Sequence, residues 1–253
     1  MRSQVRILPG ASCRVWGEDP LFRKGSGNNR SLVDSKTDER LERLRRRAAS
    51  REPGLPQKIL KGALKPVLAA WRTAVDGLHL LPGEGGVLVA PNHGSYLDHF
   101  FLAYRIDRPV QFMAAAELFS NPVAGRILSA LGAFPVRRGA HDEEAVATAG
   151  AILERGGLVV IYPQGGIRPA LDSVPPRRGV GVLALTTGAP VVPAAIIEAT
   201  SLHKAGFLRF PRITVRFGDP IQRGSRLPVE EARAEDAASE VWSRVLRLHD
   251  EGH

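Results

Sequence analysis

Gly86-Val87-Leu88-Val89-Ala90-Pro91-Asn92-His93-Gly94-Ser95-Tyr96-Leu97-Asp98 is the stretch on which the reading of this chain turns. It opens on an apolar run of strand length and closes on polar residues typical of a turn. His93 and Asp98 then stand five residues apart at the exit of the strand. A neutral imidazole can take a proton from a hydroxyl. A carboxylate bonded to its far nitrogen fixes the tautomer and stabilises the imidazolium that forms. Five residues in a straight helix would not bring the two side chains together. A turn that runs into a helix would, with His93 in the turn and Asp98 in the first helical turn. Taken alone, the stretch reads more simply as a strand end with Ser95 as a helix N-cap, and the rest of the chain has to decide.

From residue 77 onward, apolar strand-like runs alternate with helical stretches. Strands are expected at 86–90, 109–113, 133–136, 157–162, 190–197 and 212–217. Helices are expected at 96–104, 121–131, 142–155, 177–187 and 229–248. This alternation predicts a single α/β domain over residues 55–253, a mostly parallel central sheet flanked by helices. No internal repeat and no second domain is visible. Within that domain, residues 56–76 form an amphipathic helix candidate. Ile59, Leu60, Ala63, Leu64, Val67, Leu68, Trp71 and Val75 recur at helical spacing, with Lys58, Lys61, Lys65 and Arg72 among them. Two readings stand level: a helix lying on an anionic membrane surface, and a helix packed on its own domain. Pro66 is expected to kink it.

The formal charge is +9 with an isoelectric point near 10.4, which suggests a polyanionic partner. Residues 1–54 hold 13 Lys and Arg against 7 Asp and Glu, so most of the excess belongs to a basic tail. That distribution, and the lack of a recognised nucleic-acid module, argue against a nucleic-acid partner. Residues 1 to about 35 have no hydrophobic period, and disorder is expected there. Their opening, Arg2 to Ala11, looks like translated tRNA-gene sequence, so a downstream start such as Val33 is a candidate. Residues 37–51 read as a short charged helix with a solvated face. The single cysteine, Cys13, excludes an intramolecular disulfide and makes a reducing compartment the default. No run is long and apolar enough for a membrane span. A Gly-x-Ser-x-Gly elbow is missing, which sets a serine hydrolase aside.

Four segments near strand ends line up in order. They are Asn92 to Asp98; Gly132-Ala133-Phe134-Pro135-Val136-Arg137-Arg138-Gly139; Tyr162-Pro163-Gln164-Gly165-Gly166-Ile167-Arg168; and Val191-Val192-Pro193-Ala194, preceded by Arg177-Arg178-Gly179. Ligands gather outside the carboxyl ends of strands in open α/β sheets. Turns after strands place Arg138 and Arg168 there, and arginine forks suit phosphate. Each segment has a plain structural reading; the four together are harder to dismiss.

With these residues in view, the sequence over about 75–220 resembles the glycerolipid acyltransferase family, typified by 1-acylglycerol-3-phosphate acyltransferases. The family's Asn-His-x-Ser-x-x-Asp block is matched at Asn92, His93, Ser95 and Asp98. Its Gly-x-Ile-Phe-Ile-x-Arg block is met by Gly132, Phe134 and Arg138. Its Phe-Pro-Glu-Gly-Thr-Arg-Ser block departs: Gln164 stands for Glu, Gly166 for Thr and Ile167 for Arg, with Arg168 one place later. A basic residue expected before Glu117 is replaced by Ala114, Ala115 and Ala116. The resemblance implies an O-acyltransferase. His93 acts as general base oriented by Asp98, and Asn92, Ser95, Gly132, Phe134, Arg138, Pro163, Gln164, Gly165, Gly166 and Arg168 bind substrate. The donor is a fatty-acyl thioester of coenzyme A or acyl carrier protein, and the acceptor is of phospholipid type. Oxyanion donors are expected among the N–H groups of 163–166. No metal and no further cofactor is implied. The expected place is the cytoplasm, peripheral on the inner face of the cell membrane. The competing expectation is a catalytically weak acyl- or lipid-binding relative.

Overall fold

The computed structural model describes residues 32–137, 142–168, 171, 174–197, 212–222 and 230–251. The expectations for residues 1–31 and for Arg138 fall outside these residues.

Seven strands form the sheet: β1 (Ala74–Asp76), β2 (Val87–Pro91), β3 (Val110–Ala115), β4 (Ala133–Val136), β5 (Leu158–Val160), β6 (Val191–Ile197) and β7 (Thr214–Phe217). Their order is β1-β7-β6-β2-β5-β3-β4. Every pairing is parallel except β6 with β7. β2, the strand of the opening motif, is central, with β6 and β5 on either side. Its residues are apolar without a break because both faces are covered. Val87 and Val89 point into one core and Leu88 and Ala90 into the other, as the two-residue strand period requires.

The first core is closed by α2 (Leu55–Ala70) and α3 (Asp98–Ala103), which contribute Leu68, Phe101 and Leu102. The second is closed by α5 (Glu143–Glu154), α6 (Gly179–Thr187) and α7 (Glu231–Asp250), through Ile152, Leu183 and Val241 among others. Gly181 is needed where α6 meets α7, since a Cβ there would lie 2.0 Å from the carbonyl oxygen of Ala234. A satellite core joins α1 (Leu32–Ser50) to the 3-10 turn Ala116–Phe119 and to α4 (Pro122–Ala130), through Leu41, Phe119 and Leu128.

The segment read as a solvated charged helix, 37–51, is helical through Ser50 but is not merely solvated. Leu41 is buried, and so is Arg45 at 2 % exposure. Arg45 pairs with Asp142 and Glu144 and donates to the carbonyl of Pro135 at 3.0 Å. Asp142 also accepts the N–H groups of Arg137 and Ala145, so one carboxylate caps α5 and ties α1 to the loop after β4. Burying a charge is tolerated here because it is paired and hydrogen-bonded. The packing is long-range in sequence, and the local trace of it, Leu41, Leu44 and Ala48 at helical spacing, is sparse in a helix rich in charged residues.

The two readings of α2 are not exclusive. Leu64, Leu68 and Trp71 pack inward, while Leu55, Ile59 and Val67 are 67 %, 61 % and 44 % exposed on the outer side. Gln57 fixes the helix, donating to the carbonyls of Val110 and Leu131 and accepting from the N–H of Val110. Lys61 adds bonds from Nζ to the carbonyls of Ile106 (3.1 Å) and Arg108 (2.9 Å). Burial pulls the Lys61 pKa down from 10.5 to about 8, against the opposing charge of Asp107.

The unfolded chain therefore holds a proton on Lys61 between pH 8 and 10.5 that the folded chain has released. Unfolding free energy rises with pH across that window. In urea titrations the midpoint should climb more steeply from pH 8 to 10 in the wild type than in Lys61→Met. Equal slopes would show that Lys61 keeps an ordinary pKa in the fold.

Candidate active site

β2 ends in a turn that the chain closes with one carboxylate. Asp98, the first residue of α3, is fully buried. Its Oδ2 accepts His93 Nδ1 at 2.8 Å, the N–H of Gly94 at 2.8 Å and the N–H of Ser95 at 2.9 Å. Ser95 Oγ accepts the N–H of Leu97, and Ser95 O accepts the N–H of Asp98. Ser95 thus shapes the entry to α3, as the plain reading expected, while the His-Asp pair forms as well. A carboxylate only accepts, so Nδ1 carries the imidazole proton and Nε2 keeps the lone pair. His93 is 5 % exposed.

Two further strands hold this turn. Asn92 faces β6, where its amide accepts the N–H of Ile196 at 2.6 Å and donates to the carbonyl of the same residue at 3.0 Å. The side chain stands in for a rung of the sheet just past the last residue of β2. On the other side, the loop after β5 supplies Gln164, 1 % exposed, whose Oε1 accepts the His93 N–H at 2.7 Å. The N–H of Arg168 donates to the His93 carbonyl at 3.0 Å. Both backbone groups of His93 are therefore fixed by the third segment. Gly165, at φ 69°, turns this loop back, and its N–H is taken by the carbonyl of Tyr162. The Gly165 N–H is for that reason no free oxyanion donor.

Tyr162 stacks on the His93 ring, with centroids 4.0 Å apart and planes inclined by 22°. Burial, and then the charge of Asp98, push its phenol well above the ordinary range, so it stays neutral. Its hydroxyl is buried and has no hydrogen-bond partner among the described residues. His99 lies edge-on to both rings, 5.6 Å from His93 and 5.1 Å from Tyr162.

The structure thus gathers Asn92, His93, Ser95, Asp98, Pro163, Gln164, Gly165, Gly166 and Arg168 at the carboxyl ends of β2 and β5. Gly132 and Phe134 are not among them. Gly132 precedes β4, at the opposite end of the sheet, with φ 97° and no room for a Cβ beside the carbonyl of Val110. Phe134 is fully buried in the core under α5. Both are packing residues, which a motif read along the chain does not separate from contact residues. Conversely, the stacking of Tyr162 and the grip of Gln164 on His93 were not legible, because each joins positions about seventy residues apart.

Comparison with known proteins agrees with the geometry. Residues 72–197 match the family described as Acyltransferase. The 1-acyl-sn-glycerol-3-phosphate acyltransferase of Bacillus subtilis is 31 % identical over 184 residues, 70 % of this chain and 89 % of that one. The Streptococcus pneumoniae protein of the same name is 26 % identical over 170 residues, 66 % of this chain and 62 % of its own length. The crystal structure of the 1-acyl-sn-glycerophosphate acyltransferase from Thermotoga maritima shares the fold with TM-score 0.53 at 18 % identity, covering 90 % of this chain and 86 % of that one.

Tyr162→Phe keeps the ring on His93 and deletes a buried hydroxyl that has no partner. Relief of that unpaired group is worth about 1 kcal/mol, so the denaturant midpoint should rise. A fall of the midpoint by a comparable amount would mean that the hydroxyl is bonded in the folded protein.

Proposed function

The chain belongs to the acyltransferase family of these relatives, and on that basis we propose the donor, the acceptor class and the residues of its reaction. It is an acyltransferase of the 1-acylglycerol-3-phosphate type. In our reading it moves a fatty acyl group from acyl-CoA or acyl carrier protein to a hydroxyl of a lysophospholipid or glycerol-phosphate acceptor. The observation that carries this is the buried Asp98 carboxylate bonded to His93 Nδ1 at 2.8 Å.

Nε2 of His93 takes the proton of the acceptor hydroxyl as its oxygen attacks the thioester carbonyl. The new C–O bond forms a tetrahedral oxyanion, and backbone N–H groups of the Gln164–Gly166 loop other than that of Gly165 are its candidate donors. Collapse breaks the C–S bond, and the proton on Nε2 passes to the departing thiolate. Asp98 holds the imidazole in the tautomer that keeps Nε2 basic and offsets its positive charge in between. Tyr162 lends its ring face to the same cation. Arg168 would take an anionic group of the substrate. General-base assistance of this kind supplies roughly 100- to 10,000-fold in rate. The departure at Gln164 favours, as a second reading, a weak enzyme that binds acyl ligands. The intact dyad speaks for turnover.

His93→Ala should reduce acceptor-dependent thiol release from acyl-CoA by at least about 100-fold with an unchanged circular dichroism spectrum. A rate within a few-fold of the wild type would remove the dyad mechanism.

Among the described residues no helix is long and apolar enough to cross a membrane. A lipid acceptor still has to be reached at a surface. We place that contact on the outer side of α2, where exposed Leu55, Ile59 and Val67 run beside exposed Lys58 and Lys65. The inner face of the cell membrane is the corresponding location. Serine at Leu55, Ile59 and Val67 together should weaken sedimentation with anionic vesicles several-fold while the melting temperature holds. Undiminished binding would put the contact elsewhere.

A further inference from the structure

The arginines of α1 divide between two sides of the helix. Arg40 and Arg45 turn inward. Arg40 donates to the carbonyls of Phe119 and Ser120, both at 2.7 Å, and Arg45 pairs with Asp142 and Glu144. With Leu41 buried beside Phe119 and Ala133, this part of α1 is fastened to the domain. Arg43, Arg46 and Arg47 are exposed, at the spacing that puts them on one side of a helix. The N–H of Arg51 bonds to the carbonyl of Arg47 at 3.0 Å, so exposed Arg51 extends the row by a turn. No carboxylate occurs between positions 43 and 51. Arg46 pairs with Glu42; Arg43, Arg47 and Arg51 have no ion pair among the described residues. The dipole of α1 accounts for a cation in its last turn, but not for a row of four.

This row differs from the outer side of α2. There the exposed cations are lysines, Lys58 and Lys65, set among exposed Leu55, Ile59 and Val67. Along the α1 row no large hydrophobic residue is exposed. A helix that lies on a bilayer needs apolar residues to enter it. Guanidinium forks without them suit the carboxylates of another protein. The two helices also cover different parts of the domain. α2 packs on the sheet face of Val87 and Val89, whereas α1 crosses the β4 edge, with Leu41 in the satellite core and Ala48 against the core of Leu88 and Ala90.

The row starts near the site. β3 and β4 run parallel to β5 and β2, so their carboxyl ends share the side of the sheet where His93 lies. Arg40 holds the residues that follow β3, and Asp38 pairs with Arg137, which follows β4. Arg43 stands one turn below that end, and at about 1.5 Å per residue the row to Arg51 is about 12 Å long. We propose that Arg43, Arg46, Arg47 and Arg51 dock an acidic protein that carries the acyl group as a thioester, so that the donor is an acyl carrier protein rather than free acyl-CoA. The proposal rests on the transferase reading and deepens it. The C–S bond that breaks is then the carrier's, and the carrier leaves with its thiol. Charge complementarity of this kind steers the encounter and is screened by salt.

The test compares the wild type with the double variant Arg43→Gln and Arg47→Gln. Arg233→Gln with Arg247→Gln removes the same charge from exposed positions on α7 and serves as control. Transfer to lysophosphatidate is followed with acyl carrier protein or acyl-CoA as donor, at low and at high potassium chloride. At low salt the α1 variant should raise KM for the acyl carrier protein about fivefold, with kcat and KM for acyl-CoA within about twofold and the control at the wild-type value. High salt should erase the difference. Equal KM values for the carrier in wild type and α1 variant would overturn the proposal, and so would transfer from acyl-CoA alone. Loss of sedimentation with anionic vesicles by the α1 variant, with KM for the carrier unmoved, would make the row a lipid contact instead. If the wild type transfers from neither donor, the transferase reading has failed, and calorimetric binding of the carrier protein decides alone. Weaker binding to the α1 variant than to the wild type then sustains the docking row; equal binding, or none to either, refutes it.

Discussion

The site depends on one carboxylate oxygen. Asp98 Oδ2 takes three N–H donors from the turn that precedes it, one of them the imidazole. A buried carboxylate must be satisfied or it will not stay charged. At Oδ2 the satisfaction is local, since two of the donors are backbone groups three and four residues upstream; Oδ1 is buried with no partner among the described residues. The turn, the first residue of α3 and the orientation of His93 are therefore one unit. Loss of the charge at 98 would release the ring, the turn and the helix start together.

The parallel sheet makes this unit useful. β2 and β5 run side by side in the same direction, so the segments after them meet at one end. That adjacency lets Gln164 hold the N–H of His93, Arg168 its carbonyl and Tyr162 the face of its ring. Asn92 performs the corresponding task toward β6. His93, the general base of the proposed reaction, is in this way fixed from both sides of the central strand by groups far from it in sequence. Fixed geometry is the requirement of a group that must meet a hydroxyl without reorganising.

The third segment departs from the family pattern at Gln164, Gly166 and Ile167, and the structure gives the first of these changes a physical sense. The amide oxygen at 164 only has to accept a backbone N–H, a task that carries no need for charge. With a neutral residue there, position 164 adds no negative charge beside the His93 N–H. The cation that the pattern places at 167 stands one place later, at Arg168. Nothing in the structure explains why Ile167 itself was preferred.

Much was legible along the chain. The apolar runs marked six of the seven strands, and helical spacing marked α2 through α7. These signals are local, because burial of a strand or a helix face is written in the period of its own residues. The pairing of His93 with Asp98 was legible for the same reason, since five residues of turn and helix start are enough to close it. The three-residue strand β1 lies inside the stretch read as helix 56–76: the helix ends at Ala70, and Val75, counted in its spacing, pairs in the sheet with β7; the burial of Arg45 ran against its composition. Position 134 was read as a contact residue and is core, and glycine at 132 as a site residue and is a tight turn at the far end of the sheet. The sequence by itself determined the α/β class, the pairing of His93 with Asp98 and the order of the segments around it. What the tertiary structure decided was which of those segments meet. Strand order in a parallel sheet is set by long crossovers and packing on both faces, and no residue records its partner across seventy positions of chain.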